Sequence, residues 1–427
     1  MILHCRSMPR EVQTATSPLN ARLPAAPSKS VTHRALIAAA LAEGRSTLRT
    51  PLHADDSYRT AVGLRQLGLH VADDQAEWIV EGSSGRVPGG GTLDLNESGT
   101  SLRLLCAVAA LGERSSTLDG VERLRQRPLR PLGEALQRLG AAVEPIDQPL
   151  PWRIGGQPVT GERTSIDVSK SSQFASALMM IGPCLPQGLL LELEGPLVSG
   201  PYLEITAAVM RAFGARFKRE SELCWRFEPS GYQATDFAVD GDHSSASYLL
   251  AAPLIAGGCV RVEGLDPESA QADAWFWRAI ERFGGRARVA ERAIEIEAQG
   301  KIPAFDVTMG HAPDLVPTVA MLAALAEGPC SIRDVAHLRF KESDRLEQLA
   351  SNLNRLGCPA TATDDALQID GSRAEWRAGR VETAGDHRIA MAFALLGLRV
   401  PGIEIDDPDC VGKSFPEFWE RWEALLA

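Results

Sequence analysis

The sequence lacks the marks of several large classes of protein. Its longest apolar segments, such as 248–257, fall well short of the ~20 residues that a membrane helix needs. The opening segment MILHCRSMPREVQT has no sustained apolar run, so we expect no secretion signal. A formal net charge of −11 argues against a nucleic-acid or membrane-surface binder, since these need a broad basic face. We therefore expect a cytoplasmic protein with neither kind of partner.

Cysteine is present but too dispersed to form a local motif. The closest two of the eight cysteines, Cys330 and Cys358, are 28 positions apart. Zinc and redox motifs need cysteines within a few positions of each other. We therefore predict reduced thiols and no metal site.

The length and composition indicate a globular protein of more than one domain. The chain has 427 residues, whereas single cores stop growing at about 250–300 residues. Hydrophobic residues make up 44% of the sequence and charged residues 23%, so every part can contribute to a core. Two domains are expected.

A repeat of about seventy residues fills the chain. Polar starts run into small-residue, apolar helices, and successive markers are 70, 71, 73, 70 and 73 residues apart. The markers are Ser30, Thr100, Ser171, Ser244, Asp314 and His387. A short β-rich run follows each helix, as in RSTLRT and GIEID. The pattern predicts six repeated helix–strand units and an α/β fold.

A second helix in each unit supports the same period. In the first five units it ends at a glycine, namely Gly68, Gly140, Gly214, Gly284 and Gly357. The first helix of each unit is apolar nearly all round, which predicts burial, while the second has one charged face and must meet water. Each unit therefore has an inner and an outer helix.

The starts of the inner helices are candidate anion sites. A helix N-terminus exposes N–H groups and carries a partial positive charge that attracts phosphate and carboxylate. Ser and Thr at such positions are also ordinary N-caps, and that alternative stays open. Cations there oppose the helix dipole, so Lys29 and Arg388 are better explained by a bound anion.

Three other segments allow more than one interpretation. In RFKESDRLEQL, Lys341 and Arg345 share a helical face and Glu342 precedes Arg345 by three, which also fits an exposed ion-pair ladder. The loop 125–128, with Arg127, also fits a solvated turn. The run PGGGT lacks the lysine and helix of a nucleotide-binding loop, and we interpret it as a hairpin turn.

Ten segments of the sequence resemble those of a known family, the 5-enolpyruvylshikimate-3-phosphate synthases, and they extend over nearly the whole chain. The matching segments, in family order, are SKSVTHRALIAAALAEG, NESGTSLRLL, RQRPL, SSQFASALM, PLVSGPY, GDHSSASYLLAA, PDLVPTVA, RFKESDRL, GDHRIAMAFALL and CVGKSFPEFW.

The resemblance implies a two-lobed, inside-out α/β barrel, the enolpyruvyl transferase fold. Each lobe would contain three repeat units, one lobe spanning 28–241 and the other combining 1–27 with 242–427. The family closes on its substrates without metal or organic cofactor and is usually monomeric.

The resemblance also implies a reaction. The enolpyruvyl group of phosphoenolpyruvate is transferred to the 5-hydroxyl of shikimate 3-phosphate and phosphate is released, on the way to chorismate and the aromatic amino acids. Both substrates are phosphorylated carboxylates, so cations are needed to offset their charge.

The resemblance also assigns the family's site residues to individual positions of this sequence. Asp314, Glu342 and Lys29 match the catalytic residues, with Asp314 accepting the hydroxyl proton and Glu342 moving the proton at C3. Shikimate 3-phosphate would be bound by Lys29, Ser30, Arg34, Ser171, Ser172, Gln173, Ser199, Asp314 and Lys341. Phosphoenolpyruvate would be bound by Lys29, Gly99, Arg127, Gln173, Arg345, His387, Arg388 and Lys413.

The sequence departs from the family pattern at a few positions. Glu97 replaces a usual Asn and adds a carboxylate near an anion site, where it either points away or pairs with Arg103. His337 replaces an Asn among the shikimate contacts. Two alternatives stay open: a UDP-N-acetylglucosamine enolpyruvyl transferase, which typically has a loop cysteine where Cys106 here lies in an apolar helix, and a non-catalytic relative that binds phosphorylated metabolites.

Overall fold

The computed structural model describes residues 8–73, 76–197 and 199–427. The chain divides into two units, which we call the first unit (Pro27–Asp240) and the second unit (Met1–Ala26 with Gly241–Ala427). The helices of the first unit are α1 (Lys29–Leu41), α2 (Asp55–Gln66), α3 (Gly99–Ala110), α4 (Glu122–Arg125), α5 (Arg130–Arg138), α6 (Gln173–Ile181) and α7 (Pro201–Ala212). Those of the second are α8 (His243–Ala256), α9 (Trp275–Arg278), α10 (Val316–Ala324), α11 (Arg345–Arg355), α12 (His387–Gly397) and α13 (Phe418–Leu426).

The six predicted inner helices are α1, α3, α6, α8, α10 and α12, and all of them are buried. In α10 and α12 every residue is buried, and in α6 every residue after Gln173. Because these helices are apolar on nearly all sides, other elements of the unit can pack around them. The prediction of six buried apolar helices is confirmed.

In the described residues of the first unit, three four-stranded sheets share one pattern. The strand after the inner helix is central, with one parallel and one antiparallel neighbour. Their orders are Asp236–Ala238, Arg45–Arg49, Glu77–Glu81 and His70–Asp73; Thr92–Asp94, Ser116–Asp119, Trp152–Ile154 and Val143–Glu144; and Arg163–Asp167, Leu189–Glu194, Cys224–Phe227 and Phe217–Ser221. Two short parallel pairs join Ala42–Glu43 to Tyr232–Gln233 and Val87–Gly89 to Gly112–Arg114.

The second unit repeats this pattern. Its sheet orders are Leu19–Pro24, Gly258–Glu263, Ala293–Ala298 and Gly285–Ala290; Asp306–Thr308, Pro329–Arg333, Leu367–Asp370 and Ala360–Ala362; and Gly379–Val381, Ile403–Ile405 and Arg10–Glu11. Short 3-10 helices occur at Gly182–Cys184, Ala272–Ala274, Ile280–Phe283, Pro313–Leu315, Ala336–Phe340, Gly371–Arg373 and Pro408–Lys413.

The chain passes from one unit to the other twice, and a strand pairing explains each passage. Leu19–Pro24 pairs parallel with Gly258–Glu263, so this strand near the N-terminus belongs to the second unit. Asp236–Ala238 returns to pair parallel with Thr47, Leu48 and Arg49 of the first unit. Each unit thereby completes a sheet that its own repeats leave one strand short.

The outer helix predicted in the fourth repeat is short. α9 covers only Trp275–Arg278 and is followed by a 3-10 turn, Ile280–Phe283. Aromatic residues have weaker helix propensity than alanine or leucine, and here they pack on one another, with the rings of Phe276 and Phe283 stacked at 6.0 Å. Gly284 still ends the segment in a left-handed conformation, with φ +77°.

The interpretation of PGGGT as a hairpin turn is wrong. The strands on either side, Val87–Gly89 and Thr92–Asp94, pair with different strands, Gly112–Arg114 and Ser116–Asp119, and both pairings are parallel. A Cβ on Gly91 would lie 2.0 Å from the Gln66 carbonyl oxygen. Glycine therefore allows this loop to run against the end of α2.

In residues 8–73, 76–197 and 199–427, no helix has both the length and the hydropathy of a membrane span. The first half of the opening segment MILHCRSMPREVQT, residues 1–7, lies outside these ranges. Within them the cysteines are free, and no cluster of three or more potential metal ligands occurs. Cys106 is fully buried in α3, where burial raises the pKa of its thiol to about 12.

Candidate active site

The predicted site residues, together with Asp386, which was not predicted, fall into two sets, one in each unit. The helix-start set lies in the first unit and comprises Lys29, Ser30, Arg34, Gly99, Arg127, Ser171, Ser172, Gln173 and Ser199. The carboxylate set lies in the second unit and comprises Asp314, Lys341, Glu342, Arg345, Asp386 and Arg388. His387 and Lys413 also belong to the second unit.

Lys29 is the first residue of α1, and it is paired with an acidic side chain of α2. Its Nζ lies 3.0 Å from Oδ2 of Asp56, and the two side chains are 13% and 3% exposed. Asp56 thus supplies a negative charge at this helix start, and the helix dipole alone does not distinguish a bound anion from this pairing. Sequence analysis missed Asp56, although the acidic pair that opens α2 was a usable signal.

Arg34 lies one turn further along α1 and is 1% exposed. Its guanidinium donates to Thr206 Oγ1 at 2.7 Å, the Ser30 carbonyl oxygen at 2.9 Å and Ser176 Oγ at 3.3 Å, and these acceptors are neutral. Burial lowers the pKa of Arg34 to about 10, so the side chain stays charged at neutral pH. A buried cation with neutral acceptors is suited to binding an anion.

The amide of Gln173, at the start of α6, is oriented by two residues of α3. Its Oε1 accepts a hydrogen bond from Arg103 Nη1 at 2.7 Å, and its Nε2 donates to Thr100 Oγ1 at 3.2 Å. The Arg103 guanidinium also lies over the Phe174 ring at 5.5 Å. Sequence analysis considered Arg103 only beside Glu97 and missed its contact with Gln173.

Gly99, the first residue of α3, lies directly against Arg127. A Cβ on Gly99 would be 2.3 Å from Nη1 and 2.5 Å from Cζ of Arg127. The missing side chain therefore leaves the space that the guanidinium occupies beside the N–H groups of α3. The alternative of a solvated turn does not describe Arg127, because this residue is partly buried.

The serines of the helix-start set have different surroundings. Ser171 precedes the N-cap of α6, and its Oγ accepts a hydrogen bond from the Gln173 backbone N–H at 3.3 Å. Ser172 is 3% exposed. Ser199 is 7% exposed and has φ +56°, a left-handed conformation that is unfavourable for a residue with a side chain. Such strain is concentrated at functional sites.

Arg345 is the centre of the carboxylate set. It is 1% exposed, and its guanidinium donates to Asp386 Oδ2 at 2.8 Å, Asp314 Oδ1 at 3.1 Å and Glu342 Oε2 at 2.6 Å. Burial lowers the pKa of Arg345, but the three carboxylates outweigh burial and raise it above its usual value. One buried cation thus holds three acidic groups in fixed positions.

Two sequence interpretations of the segment RFKESDRLEQL are wrong. α11 begins at Arg345, so Lys341 and Glu342 precede the helix and do not share a helical face with Arg345. An exposed ion-pair ladder is also excluded, because the side chains of Arg345 and Glu342 are 1% and 12% exposed.

Asp314 is bound by cations on both oxygens. Arg388 Nη2 donates to its Oδ2 at 2.8 Å, and Arg388 Nη1 donates to its carbonyl oxygen at 3.2 Å. Lys341 Nζ lies 3.8 Å from Oδ1, the oxygen that also accepts from Arg345. These cations favour the ionised carboxylate. As for Lys29, the helix dipole alone does not require an external anion at Arg388, because Asp314 supplies a negative charge.

Asp386, which sequence analysis missed, joins α12 to Arg345. It caps α12 by accepting from the Arg388 backbone N–H at 3.0 Å, and it also accepts from Ser343 Oγ at 3.0 Å. Burial raises its pKa, but the charge and hydrogen bonds of Arg345 outweigh burial and hold the pKa below its usual value. The usable signal was an Asp directly before a predicted helix start.

The remaining predicted residues of this unit are buried. His387 is 0% exposed, and its Nδ1 is 3.9 Å from Asp386 Oδ1. Lys413 is 7% exposed and ends the 3-10 helix that follows the last strand. His337 is 7% exposed, and burial first, then Lys341, lowers its pKa to about 3, so the imidazole is neutral.

Comparison with known proteins identifies the family. A family model described as EPSP synthase (3-phosphoshikimate 1-carboxyvinyltransferase) matches residues 13–422. The chain belongs to the EPSP synthase family. The 3-phosphoshikimate 1-carboxyvinyltransferase of Methanoculleus marisnigri is 43% identical over 410 residues, covering 95% of this chain and 96% of the relative. That of Methanoregula boonei is 45% identical over 402 residues, covering 92% and 94%.

Solved EPSP synthase structures are similar over almost their full length. An EPSP synthase from Acinetobacter baumannii matches with a TM-score of 0.80 at 25% identity, covering 98% of each chain. The enolpyruvyl transferase NikO from Streptomyces tendae matches with a TM-score of 0.73 at 20% identity, covering 97% of this chain and 96% of NikO, which indicates a shared fold. The predicted family, the enolpyruvyl transferase fold and the class of enzyme, a shikimate-pathway transferase, are confirmed.

Proposed function

We propose that this EPSP synthase family member transfers the enolpyruvyl group of phosphoenolpyruvate to the 5-hydroxyl of shikimate 3-phosphate. The observation that carries the proposal is the arrangement around Arg345, where Asp314 and Glu342 accept from the same guanidinium at 3.1 and 2.6 Å. A base and an acid for one proton-coupled addition are thereby held close together.

The proposed chemistry has two stages. Asp314 accepts the proton of the 5-hydroxyl as its oxygen bonds to C2 of phosphoenolpyruvate, while Glu342 delivers a proton to C3. The C2–O bond to phosphate then breaks, the leaving phosphate takes the proton that Asp314 accepted, and Glu342 takes back a proton from C3, which restores the double bond. The products are the enolpyruvyl ether and inorganic phosphate, so atoms and charge balance without a metal or redox cofactor.

The helix-start set is proposed to bind the anionic groups of the substrates. Arg34 supports this role because its charge is met only by neutral acceptors. Ser171, Ser172, Gln173, Ser199 and Lys341 are proposed to hold shikimate 3-phosphate, and Lys29 both substrates. Gly99, Arg127, Arg345, His387, Arg388 and Lys413 are proposed to hold phosphoenolpyruvate, where arginine forks suit carboxylate and phosphate.

Further proposals concern organisation and location. Each unit is proposed to be one lobe of three repeats, spanning 28–241 and 1–27 with 242–427. The chain is proposed to act as a cytoplasmic monomer on small-molecule substrates alone, without nucleic-acid or membrane partners.

Phosphate release tests the function directly. The purified protein should release phosphate from phosphoenolpyruvate only when shikimate 3-phosphate is also present. Asp314→Asn should lower kcat by about 10²–10⁴-fold, because it removes the base but keeps the shape. Asp306→Asn is a matched control, since Asp306 is an exposed carboxylate of the same unit, 55% exposed and paired with Arg333.

Three results would contradict the proposal. No phosphate release at millimolar substrates, with both substrates bound in calorimetry, would indicate a non-catalytic relative. Release that requires UDP-N-acetylglucosamine would indicate the other enolpyruvyl transferase. Equal kcat in Asp314→Asn and the wild type would remove Asp314 from the chemistry.

A further inference from the structure

A chain of buried hydrogen bonds joins α1, α2 and α3 of the first unit. His33 of α1 has its Nδ1 at 2.6 Å from Thr60 Oγ1 of α2, and Thr60 Oγ1 lies 2.8 Å from Ser101 Oγ of α3. The side chains of His33, Thr60 and Ser101 are completely buried. Their polar atoms are shielded from water and therefore depend on one another for hydrogen bonds.

The far end of this chain lies at the starts of α2 and α3. Ser101 Oγ donates to the carbonyl oxygen of Asp56, in the first turn of α2, at 3.1 Å. It also lies 2.7 Å from Oγ of Ser98, the N-cap of α3, which accepts from the Ser101 backbone N–H at 3.3 Å. The Asp56 carboxylate pairs with Lys29, and Ser98 directly precedes Gly99. One hydroxyl thus joins the neighbours of two proposed substrate contacts.

The direction of each hydrogen bond follows from the single proton of a hydroxyl group. The Asp56 carbonyl oxygen can only accept, so the Ser101 hydroxyl donates its one proton there. Ser101 Oγ then accepts from the Thr60 hydroxyl, and His33 Nδ1 must donate to Thr60 Oγ1. The other ring nitrogen of His33, Nε2, is buried and has no hydrogen-bond partner in the described part of the chain. His33 is therefore the tautomer that carries its proton on Nδ1.

The surroundings of His33 keep its imidazole neutral. Burial lowers the pKa of His33 to about 3, together with the charges of Lys29 and Arg34 and against the opposing charge of Asp56. A second ring proton is therefore not gained near neutral pH. The hydrogen-bond chain keeps one direction there, from His33 to the Asp56 carbonyl oxygen.

We propose that Thr60 and Ser101 are positioning residues that hold the Lys29–Asp56 pair and the start of α3 in a fixed relation for binding phosphoenolpyruvate. This inference rests on the proposed function, because Lys29 and the start of α3 are proposed there to contact that substrate. Hydrogen bonds form only over a narrow range of distances, so two helices bound to the same hydroxyl cannot move far apart. His33 extends the constraint to α1, which begins at Lys29.

Thr60→Val tests this role because it removes the hydroxyl and nearly keeps the shape. The KM for phosphoenolpyruvate should rise about tenfold, near the value of one lost hydrogen bond, while kcat stays within about twofold of the wild type. Thr60→Ser keeps the hydroxyl and should restore the KM. The matched control is Thr164→Val, since Thr164 is a buried threonine of the same unit whose hydroxyl donates to the Ala135 carbonyl oxygen at 3.1 Å.

A purely structural role for Thr60 would give a different result. Loss of folded protein lowers the concentration of active enzyme, and with it the apparent kcat, but it leaves the KM of the remaining enzyme unchanged. An unchanged KM for phosphoenolpyruvate in Thr60→Val would overturn the inference. An equal increase of the KM in Thr60→Ser or in Thr164→Val would also overturn it.

A measurement on the unaltered protein covers the case in which Thr60→Val does not fold. Thr32 and His33 form the only Thr–His pair in the sequence, so ¹³C at the threonine carbonyls combined with ¹⁵N-labelled histidine identifies His33 by NMR. Its ring should carry one proton, on Nδ1, at neutral pH. A proton on Nε2 would show that the chain does not run as inferred. Failure of the wild type to release phosphate would contradict the proposed function instead, since the tautomer of His33 does not depend on turnover.

Discussion

Two arginines with the same exposure have opposite surroundings in the two units. Arg34 and Arg345 are both 1% exposed, but the first is bound by two hydroxyls and a carbonyl oxygen and the second by three carboxylates. The pKa of Arg34 is lowered by burial, whereas that of Arg345 is raised by its acidic partners.

This difference indicates that the two sets of residues are suited to different roles. The charge of Arg34 is not compensated by its hydrogen-bond acceptors, so it remains available to an anionic substrate. The charge of Arg345 is already matched, and its effect is to hold Asp314, Glu342 and Asp386 in fixed positions for proton transfer. The helix-start set is therefore suited to recognition, and the carboxylate set to acid–base chemistry.

The largest expected effect comes from replacing each arginine by methionine. Arg345→Met leaves three carboxylates without their shared partner and should cost about 3–5 kcal/mol of unfolding free energy, with loss of activity. Arg34→Met leaves only neutral acceptors and should cost about 1–3 kcal/mol. Urea unfolding measures both, and Arg333→Met, on an exposed pair, is the control. Equal losses at Arg34 and Arg345 would refute the comparison.

Lys29→Met tests whether the helix-start set contributes to turnover. It should abolish phosphate release and also lower stability by about 1–3 kcal/mol, because Asp56 is left buried without its cation. Adding Asp56→Asn should restore the stability but not the activity. If the double variant regains turnover, Lys29 serves only to compensate Asp56.

Gly99→Ala probes the contact between α3 and Arg127. The new methyl group would overlap the guanidinium, so Arg127 must move by an ångström or more. We expect the KM for phosphoenolpyruvate to rise about tenfold, near the loss of one charge-assisted hydrogen bond, with little change in stability. The control is Gly412→Ala, because a Cβ at Gly412 would meet open space. Gly90→Ala is unsuitable, because Gly90 has a left-handed φ of +91° that an alanine rarely adopts. An unchanged KM would separate Arg127 from phosphoenolpyruvate binding.

Glu97→Asn should have the smallest effect. Glu97 is exposed and lies two residues before Gly99, so its charge opposes an anion at the start of α3 and is screened by salt. A decrease of about twofold in the KM for phosphoenolpyruvate is expected at low salt, and it should disappear at high salt. A larger, salt-independent change would place Glu97 in the helix-start set.

The repeat was predictable because each of its signals lies within a short segment of the sequence. Each inner helix has its own apolar composition, and the glycines that end the outer helices, such as Gly68 and Gly140, have the left-handed φ values of +84° and +95° that favour glycine. The fourth outer helix was not predictable in the same way, because its length depends on how Phe276 and Phe283 pack. The strands around PGGGT also pair with partners further along the chain.

The site residues show the same contrast between what local sequence predicts and what depends on tertiary packing. The resemblance named Lys29, Arg345 and Arg388 by position, and the dipole argument singled out Lys29 and Arg388 but misjudged their partners. The counter-charges are distant in sequence, since Asp56 is 27 residues from Lys29 and Asp386 is 41 residues from Arg345. Such pairs follow from tertiary packing, which local pattern does not contain.

Burial of Arg34 has a consequence for the response to ionic strength. Dissolved ions screen exposed charges over about 8 Å at physiological salt, but they act through solvent. Arg34 is surrounded by protein, so dissolved ions have little access to the path between it and a bound anion. The proposed attraction of Arg34 for a substrate anion should therefore persist at salt concentrations that screen exposed lysines, and it should depend little on changes in cellular salt.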